Sequence, residues 1–268
     1  MNNFNLMILA SNVEDAALAQ DAGVDRVFYD LEYIGKAERQ RGRDTVKYHN
    51  DIELIPELRK VINRASLLVR TNPIHAYTAV EVEKAIQYGA DYLMLPMTMD
   101  RLDVEYFVNL VAGRAKVIIM VETAAALARI DDILNVPGVD EIFIGLNDLH
   151  ISLGLHFLFE PLTGGLVEYI SEKCMTKGIP FGFGGIARIG DGILPADMIL
   201  GEHVRLGSTS VILSRTFKGG DSPQAIEFKA EVDKVRERID DLKKWTSKEL
   251  MENKKTVKQI VDKIAYAV

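Results

Sequence analysis

Two acidic side chains each stand just after a short apolar run of the sequence. Glu122 follows residues 117–121, and Asp148 comes shortly after residues 142–144. Runs of this kind are typical of buried parallel strands, so each carboxylate is predicted to lie at the carboxyl end of a strand. The interval of 26 residues between the two acids fits one helix with its two loops. A pair of carboxylates held side by side suits a hard divalent ion such as Mg²⁺ or Mn²⁺.

Three further charged side chains lie where two other predicted strands end. Arg70 closes the run 66–70, and a guanidinium there can grip a carboxylate with two parallel hydrogen bonds, a structural salt bridge being the alternative. Asp30 closes the run 26–30, and Glu32 follows it. Both add negative charge to a rim that already holds two carboxylates, which is costly without a nearby cation. A surface position is the alternative for Glu32.

The turn of residues 145–148 follows a predicted strand directly, at a place where free backbone amides can hold an anion. Gly145, Asn147 and Asp148 are therefore candidate anion contacts. His75 and His150 also follow strand ends and could reach the same rim, with a surface position as the alternative. The five histidines include no pair with the spacing of a zinc protease helix, and no serine or cysteine nucleophile motif is present.

Strand and helix patterns alternate through most of the chain. This alternation favours an α/β protein, a (β/α)₈ TIM barrel, with an open doubly wound sheet as the alternative. Ser11 and Glu14 are predicted to form the capping box of the first helix, which ends at Gly23. The predicted strands are residues 6–10, 26–30, 66–70, 92–96, 116–121, 141–145, 180–184 and 203–207.

The composition changes after about residue 221. We expect residues 1–220 to form the catalytic barrel domain and residues 221–268 a C-terminal helical extension. Thr246 and Glu249 could cap its second helix. The extension can pack on its own barrel or on a neighbouring subunit, and the second packing would make the protein a homo-oligomer. Its first helix carries a helical apolar stripe, which consists of Phe228, Val232, Val235, Ile239, Leu242 and Trp245.

The net charge, the cysteine count and the lengths of the apolar runs exclude several classes of protein. A net charge of −7 argues against nucleic acid as the main partner. The single cysteine, Cys174, excludes an intramolecular disulfide framework and any cysteine-based zinc site. The first apolar run is too short for a signal peptide, and no stretch approaches the roughly 20 apolar residues of a membrane span. We therefore expect a cytoplasmic protein with no membrane partner.

Together these residues resemble the HpcH/HpaI aldolase and citrate lyase β-subunit family. The likeness extends over about residues 5–218 and is strongest from 122 to 154, where the 26-residue interval fits the family's metal pair. Residues 30–32 resemble the strand-two motif of the lyase branch, and residues 69–73 resemble the segment that carries the family's carboxylate-binding arginine. The segments that carry the likeness are Glu122-Thr123, Phe143-Ile144-Gly145, Asn147-Asp148-Leu149 and Ser152-Leu153-Gly154.

The resemblance implies a metal-dependent barrel that makes or breaks a carbon–carbon bond next to an enolate. Glu122 and Asp148 would hold Mg²⁺ or Mn²⁺, and a 2-oxo acid such as pyruvate would chelate it. Amides of residues 145–148 would hold the carboxylate of that acid, and Arg70 would stabilise the enolate oxygen. Asp30 and Glu32 would orient Arg70 or a metal-bound water. The second substrate would be an aldehyde or an acyl-CoA, and the family's C-terminal helices bridge subunits.

One position departs from the aldolase branch of this family. That branch has a histidine base three residues after the aspartate of the strand-two motif, where this chain has Tyr33. A tyrosine, with an ordinary pKa of about 10, is a poor base near neutral pH. Either another group or metal-bound water moves the proton, or the chain has left aldol chemistry and is a non-catalytic barrel that keeps the metal pocket. A lyase of the citryl-CoA or malyl-CoA type is a separate rival, which a strong basic patch for the CoA phosphates would favour.

Overall fold

The chain folds around a closed barrel of eight parallel strands. The computed structural model describes residues 4–36, 50–218 and 225–267. Each strand pairs with the next along the chain, and the eighth pairs with the first. The predicted (β/α)₈ TIM barrel is therefore confirmed. Its strands are β1 (Asn5–Leu9), β2 (Arg26–Asp30), β3 (Ser66–Arg70), β4 (Tyr92–Leu95), β5 (Lys116–Val121), β6 (Glu141–Ile144), β7 (Phe181–Ile186) and β8 (Ser210–Leu213).

Helices connect the strands and surround the barrel. None of the helices in the described ranges is long and apolar enough to cross a membrane. Short 3₁₀ turns occupy Ile52–Leu54 and Arg215–Lys218. The helices are α1 (Val13–Asp21), α2 (Ile55–Val61), α3 (Thr78–Gln87), α4 (Arg101–Val111), α5 (Ala124–Ala128), α6 (Ile130–Leu134), α7 (Leu146–Ser152), α8 (Glu160–Thr163), α9 (Leu166–Lys177), α10 (Ala196–Leu206), α11 (Ala225–Leu242) and α12 (Ser247–Ala265).

Two sequence predictions are wrong in detail. Residues 203–207, predicted as the eighth strand, form the end of α10 and its cap. Their alternating pattern is part of a longer helical pattern, which ends at Gly207 with a left-handed backbone, and the true strand starts three residues later. The first helix is capped by Asn12, whose side chain accepts from the Asp15 amide, and not by Ser11.

The barrel interior is filled below its carboxyl end. Its amino-terminal layer is polar and comes from the even-numbered strands, as in other filled barrels. Arg26 Nη1 lies 2.7 Å from Glu141 Oε2, and its guanidinium stacks on the Tyr92 ring at 4.3 Å. Ser210 donates to Glu141 Oε1 at 2.5 Å. The layers above are apolar and consist of Met7, Phe28, Leu68, Met94, Ile118, Met120 and Phe143.

Glu141→Gln is expected to destabilise the protein by roughly 3–5 kcal/mol, because it leaves the Arg26 guanidinium buried without a compensating charge. Both side chains are almost fully buried, with relative exposures of 6% and 4%. Urea denaturation of the variant and the wild type measures the difference. A loss below about 1 kcal/mol would show that the pair behaves like an exposed salt bridge.

The C-terminal helices pack on the barrel of their own chain. Phe228, Val232, Val235, Ile239 and Leu242 are all buried there. The apolar stripe is thus covered within its own chain and does not by itself require a neighbouring subunit. A homo-oligomer formed through these helices would have to swap both helices between subunits or use their outer faces. The homo-oligomer therefore stays a prediction.

Polar contacts hold α12 in place against α9 and α10. The Asn253 side chain donates to Met198 O at 3.0 Å, where Gly201 allows close approach of the two helices. Glu168 accepts from Arg205 of α10 at 2.6 Å and from Lys254 of α12 at 2.7 Å. The predicted Thr246–Glu249 capping box is present.

Candidate functional site

The barrel brings the predicted acidic and basic side chains to one end. Asp30 pairs with Arg70 in the register of β2 and β3, and both close their strands. In the register of β5 and β6, Val121 pairs with Ile144, so Glu122 and Gly145 leave adjacent strands side by side. We call this carboxyl end of the barrel the mouth; it is where barrel enzymes carry their catalytic residues.

Arg70 is clamped by the acids of the strand-two motif. Its Nε and Nη2 donate to the two oxygens of Asp30, each at 2.8 Å, and Nη2 lies 3.2 Å from Glu32 Oε2. The salt bridge that the sequence left open is thus present. Nη1 reaches the Met120 sulfur at 3.6 Å, a weak acceptor that a substrate oxygen can replace.

Lys36 is a second cation in this cluster. Its Nζ lies 2.7 Å from Asp30 Oδ2 and 3.6 Å from Glu32 Oε2. Burial acts to raise the pKa of Asp30, but Arg70 and Lys36 outweigh it and hold that pKa well below its ordinary value. Asp30 is therefore a fixed anion that joins both cations. Glu32 is buried beside it, so the surface position considered for Glu32 is wrong.

Glu122 has surroundings that oppose its charge. It is buried, and its Oε1 accepts from the Met97 amide at 2.8 Å. Met97 has a left-handed backbone, with φ of 52°, which is uncommon for a residue other than glycine. Burial, followed by the charges of Glu32 and Asp148, raises the pKa of Glu122 well above its ordinary value. Glu122 and Asp148 are thus close enough to repel each other.

The charges of the mouth fit a divalent cation. If all the described groups there are ionised, the mouth holds four carboxylates and two cations, which gives it a net charge of −2. No three His, Cys, Asp or Glu side chains within residues 4–36, 50–218 and 225–267 are placed to cage a metal by themselves. Two carboxylates such as Glu122 and Asp148 fill only part of the coordination shell of Mg²⁺ or Mn²⁺, so they would leave positions for substrate oxygens. The charged groups are Asp30, Glu32, Glu122, Asp148, Arg70 and Lys36.

The turn after β6 presents fewer amides than its sequence suggested. The Gly145 amide donates to Val121 O at 3.2 Å and is therefore already engaged. Leu146 and Asn147 begin α7, where backbone N–H groups have no partner within the helix. Their amides, and not that of Gly145, are the better candidates for holding a carboxylate.

Gly145 matters through its missing side chain. A Cβ there would lie 2.9 Å from Glu122 Cβ and 3.0 Å from Met120 Cε. We expect Gly145→Ala to displace the Glu122 carboxylate and to weaken Mn²⁺ binding by roughly 10–100-fold, the usual effect of disturbing the support of a ligand. Calorimetric titration measures this. Gly185→Ala is the control, because its Cβ would meet nothing closer than 3.4 Å; equal affinities in both variants would contradict the expectation.

The candidate histidines both contact groups outside the acidic cluster. His75 Nε2 lies 3.3 Å from Glu81 Oε2, and its Nδ1 accepts from the Tyr77 amide at 3.2 Å. His150 is buried within α7, with Nδ1 3.2 Å from Leu146 O. Tyr33, at the position of the family's histidine base, is about half exposed.

Sequence reasoning missed two contributors to the mouth. Lys36 stands four residues after Glu32, a spacing that brings side chains together on a helical turn and was available as a signal. Met97 acts through its backbone amide, and nothing in a methionine indicates a left-handed conformation.

Comparison with known proteins connects this geometry to one family. Residues 5–161, more than half of the chain, match the family model of HpcH/HpaI aldolase/citrate lyase. A hydroxypyruvate/pyruvate aldolase of Rhizorhabdus wittichii is 39% identical over 77 residues. That match covers 26% of this chain and 31% of the relative, so it spans about a third of the relative's length.

Solved structures of similar shape support the fold. An HpcH/HpaI aldolase/citrate lyase family protein from Burkholderia cenocepacia has a TM-score of 0.63 at 18% identity, covering 88% of this chain and 95% of its own. The citrate synthase SbnG has a TM-score of 0.63 at 19% identity, with coverages of 89% and 96%. An HpcH/HpaI aldolase from Desulfitobacterium hafniense has a TM-score of 0.58 at 16% identity, with coverages of 92% and 95%. At such identities the likeness shows the fold alone.

Proposed function

This chain belongs to the HpcH/HpaI aldolase/citrate lyase family, and we propose that it is a metal-dependent carbon–carbon lyase, an aldolase that acts through a pyruvate-type enolate on a small 2-oxo or hydroxy acid. The observation that carries the proposal is the buried Glu122 beside Asp148 and Glu32, with Arg70 clamped next to them. Such a cluster is costly to bury unless a cation and an anionic substrate complete it.

Glu122 and Asp148 would hold the divalent ion, Mg²⁺ or Mn²⁺. When bound, the ion supplies Lewis-acid polarisation of the substrate's oxygens. The donor set is chemically suitable, because carboxylate oxygens are the ligands that these ions prefer. The Met97 amide keeps Glu122 oriented through its bond to Oε1.

Arg70 would stabilise the charge that develops on the substrate. In the cleavage direction, the hydroxyl proton of the aldol passes to solvent water as the aldehyde forms and the carbon–carbon bond breaks. The electron pair stays on the pyruvate unit as an enolate, whose carbon then takes a proton to give pyruvate. Nη1 of Arg70 is a donor fixed in advance by the Asp30 clamp, and a fixed donor is what the enolate oxygen needs. The amides of Leu146 and Asn147 would hold the substrate carboxylate.

A 2-oxo acid fits this mouth better than a CoA thioester. The described cations of the mouth, Arg70 and Lys36, are bound to Asp30 and Glu32 and so serve the carboxylate cluster. CoA phosphates would need cations of their own. The name of the Rhizorhabdus relative, a hydroxypyruvate/pyruvate aldolase, also favours a 2-oxo acid.

The direct test is exchange of substrate protons with solvent. Pyruvate and hydroxypyruvate are incubated in D₂O with the protein and Mn²⁺ or Mg²⁺, and the C3 protons are followed by NMR. We expect metal-dependent loss of these signals without any aldehyde, since enolisation precedes carbon–carbon bond formation. Absence of exchange with both acids and both ions would leave the non-catalytic barrel as the better interpretation, and exchange without metal would refute metal dependence.

A further inference from the structure

Asn72, just after β3, lies between the loop that carries Glu32 and helix α3. Its Oδ1 accepts from the backbone amides of Tyr33 at 3.0 Å and Ile34 at 3.1 Å. Its Nδ2 and its own backbone N–H both donate to Glu81 Oε1, at 2.9 Å and 3.1 Å. Asn72 is 4% exposed, so these contacts are made away from solvent.

The pattern of donors and acceptors explains why an asparagine stands here. The loop offers two N–H donors and Glu81 offers a carboxylate acceptor, so the residue between them must accept on one side and donate on the other. A side-chain amide does both from one planar group, whereas an aspartate only accepts when ionised. Burial raises the pKa of Glu81, whereas the hydrogen bonds from Asn72 and then the charge of His75 act to lower it, so Asn72 favours the ionised carboxylate.

The loop held by Asn72 leads directly into the charged cluster. Leu31 N–H donates to Arg70 O at 2.9 Å, and Glu32 N–H donates to Asp30 Oδ1 at 3.1 Å. The next two amides donate to Asn72. Four successive amides therefore attach this loop to the ends of β2 and β3, and Asn72 supplies the acceptor for half of them.

We propose that Asn72 is a positioning residue, which fixes the loop of residues 31–34 and thereby places Glu32 against Arg70 in the mouth. Glu81 is its support, because it orients the Asn72 amide so that Oδ1 faces the loop. The proposal rests on the proposed function where it concerns turnover. The position of the loop itself does not depend on it.

The test swaps the side-chain amide and the carboxylate between positions 72 and 81. Asn72→Asp keeps an oxygen that accepts from the loop amides, but it places a second carboxylate against that of Glu81. The turnover number for pyruvate deuteration should therefore fall roughly tenfold or more. Glu81→Gln should stay near wild type, because its amide oxygen still accepts from Asn72. In the double variant, the amide introduced at position 81 donates to the carboxylate introduced at position 72, although the backbone N–H of residue 72 then loses its carboxylate acceptor. Turnover should therefore recover roughly severalfold above that of Asn72→Asp without reaching wild type, the coupling expected of a directly contacting pair.

Two controls separate positioning from general damage. Asn72→Ala lacks the acceptor, so adding Glu81→Gln to it should restore nothing. The Kd for Mn²⁺ should change much less than turnover in every variant, because the Asn72 side chain binds the loop and Glu81 rather than Glu122. Equal turnover losses in the double variant and in Asn72→Asp would overturn the proposal.

Amide hydrogen exchange of Tyr33 and Ile34 decides the proposal even if the wild type deuterates no substrate. We expect exchange roughly fivefold faster in Asn72→Ala, the effect of losing a bond of about 1 kcal/mol per amide, and recovered protection in the variant that combines Asn72→Asp with Glu81→Gln. Unchanged protection in Asn72→Ala would overturn the proposal. A wild type that is inactive on both 2-oxo acids but shows this pattern would refute only the proposed function.

Discussion

Glu122→Gln and Asp148→Asn are expected to abolish most Mn²⁺ binding, and substrate deuteration with it. Each change removes one negative charge from a mouth whose described groups leave two negative charges for a cation. At a Mn²⁺ concentration of about 100 times its Kd, the wild type should gain roughly 2.7 kcal/mol of stability, a rise of about 5–10 °C in Tm. Both variants should gain much less, and thermal melts with and without Mn²⁺ measure this.

Thermal melts without metal test a second expectation, which is that neither variant is less stable than the wild type. Burial and the neighbouring acids already oppose the charge of Glu122, so its neutralisation should leave the metal-free stability unchanged or slightly higher. Glu141→Gln is the matched control, because Glu141 is a buried carboxylate paired with Arg26 at the other end of the barrel. It should lower stability in both buffers and keep the full Mn²⁺ shift. Equal Mn²⁺ shifts in all four proteins would refute the metal site.

The fold could be predicted because its signals are local. Most of the strands are short apolar runs that alternate with helical patterns. This alternation predicts parallel strands from the local sequence alone, without knowledge of the contacts between distant segments. The error at residues 203–207 arose because five residues of a buried helix alternate by chance; only the longer pattern, with Ile199, His203 and Leu206 on one buried face, separates the two. The C-terminal stripe was recognised as a helix face, but the partner of that face depends on the tertiary arrangement.

The site could be predicted only in part. Spacing placed Glu122 near Asp148, and Asp30 near Arg70, because side chains at the ends of neighbouring strands must meet. The support around them depends on contacts between distant segments. Asn72 reaches Glu81 and the strand-two loop at once, and no spacing in the chain indicates a bond of this kind. The engaged amide of Gly145 likewise follows from its pairing with β5.

Arg70→Lys is expected to lower the rate of pyruvate deuteration by roughly 10²-fold or more, the cost of losing a preorganised donor. Lysine keeps the positive charge but lacks the planar fork with which Arg70 holds Asp30 and still presents Nη1. An ammonium in its place can satisfy the carboxylates or the substrate, but its single nitrogen cannot hold both in a fixed geometry. Mn²⁺ affinity should therefore change little while turnover falls.

Arg205→Lys is the matched control for this variant. Arg205 is also a largely buried arginine between two carboxylates, Glu202 and Glu168, but it lies among the outer helices. Its replacement should lower the stability and leave the deuteration rate unchanged. This control separates the loss of a buried guanidinium that only forms ion pairs from the loss of a donor to the substrate. If Arg70→Lys turns over within about threefold of wild type while its Tm falls as in Arg205→Lys, then Arg70 serves the salt bridge with Asp30 alone, and the enolate must be stabilised by other groups.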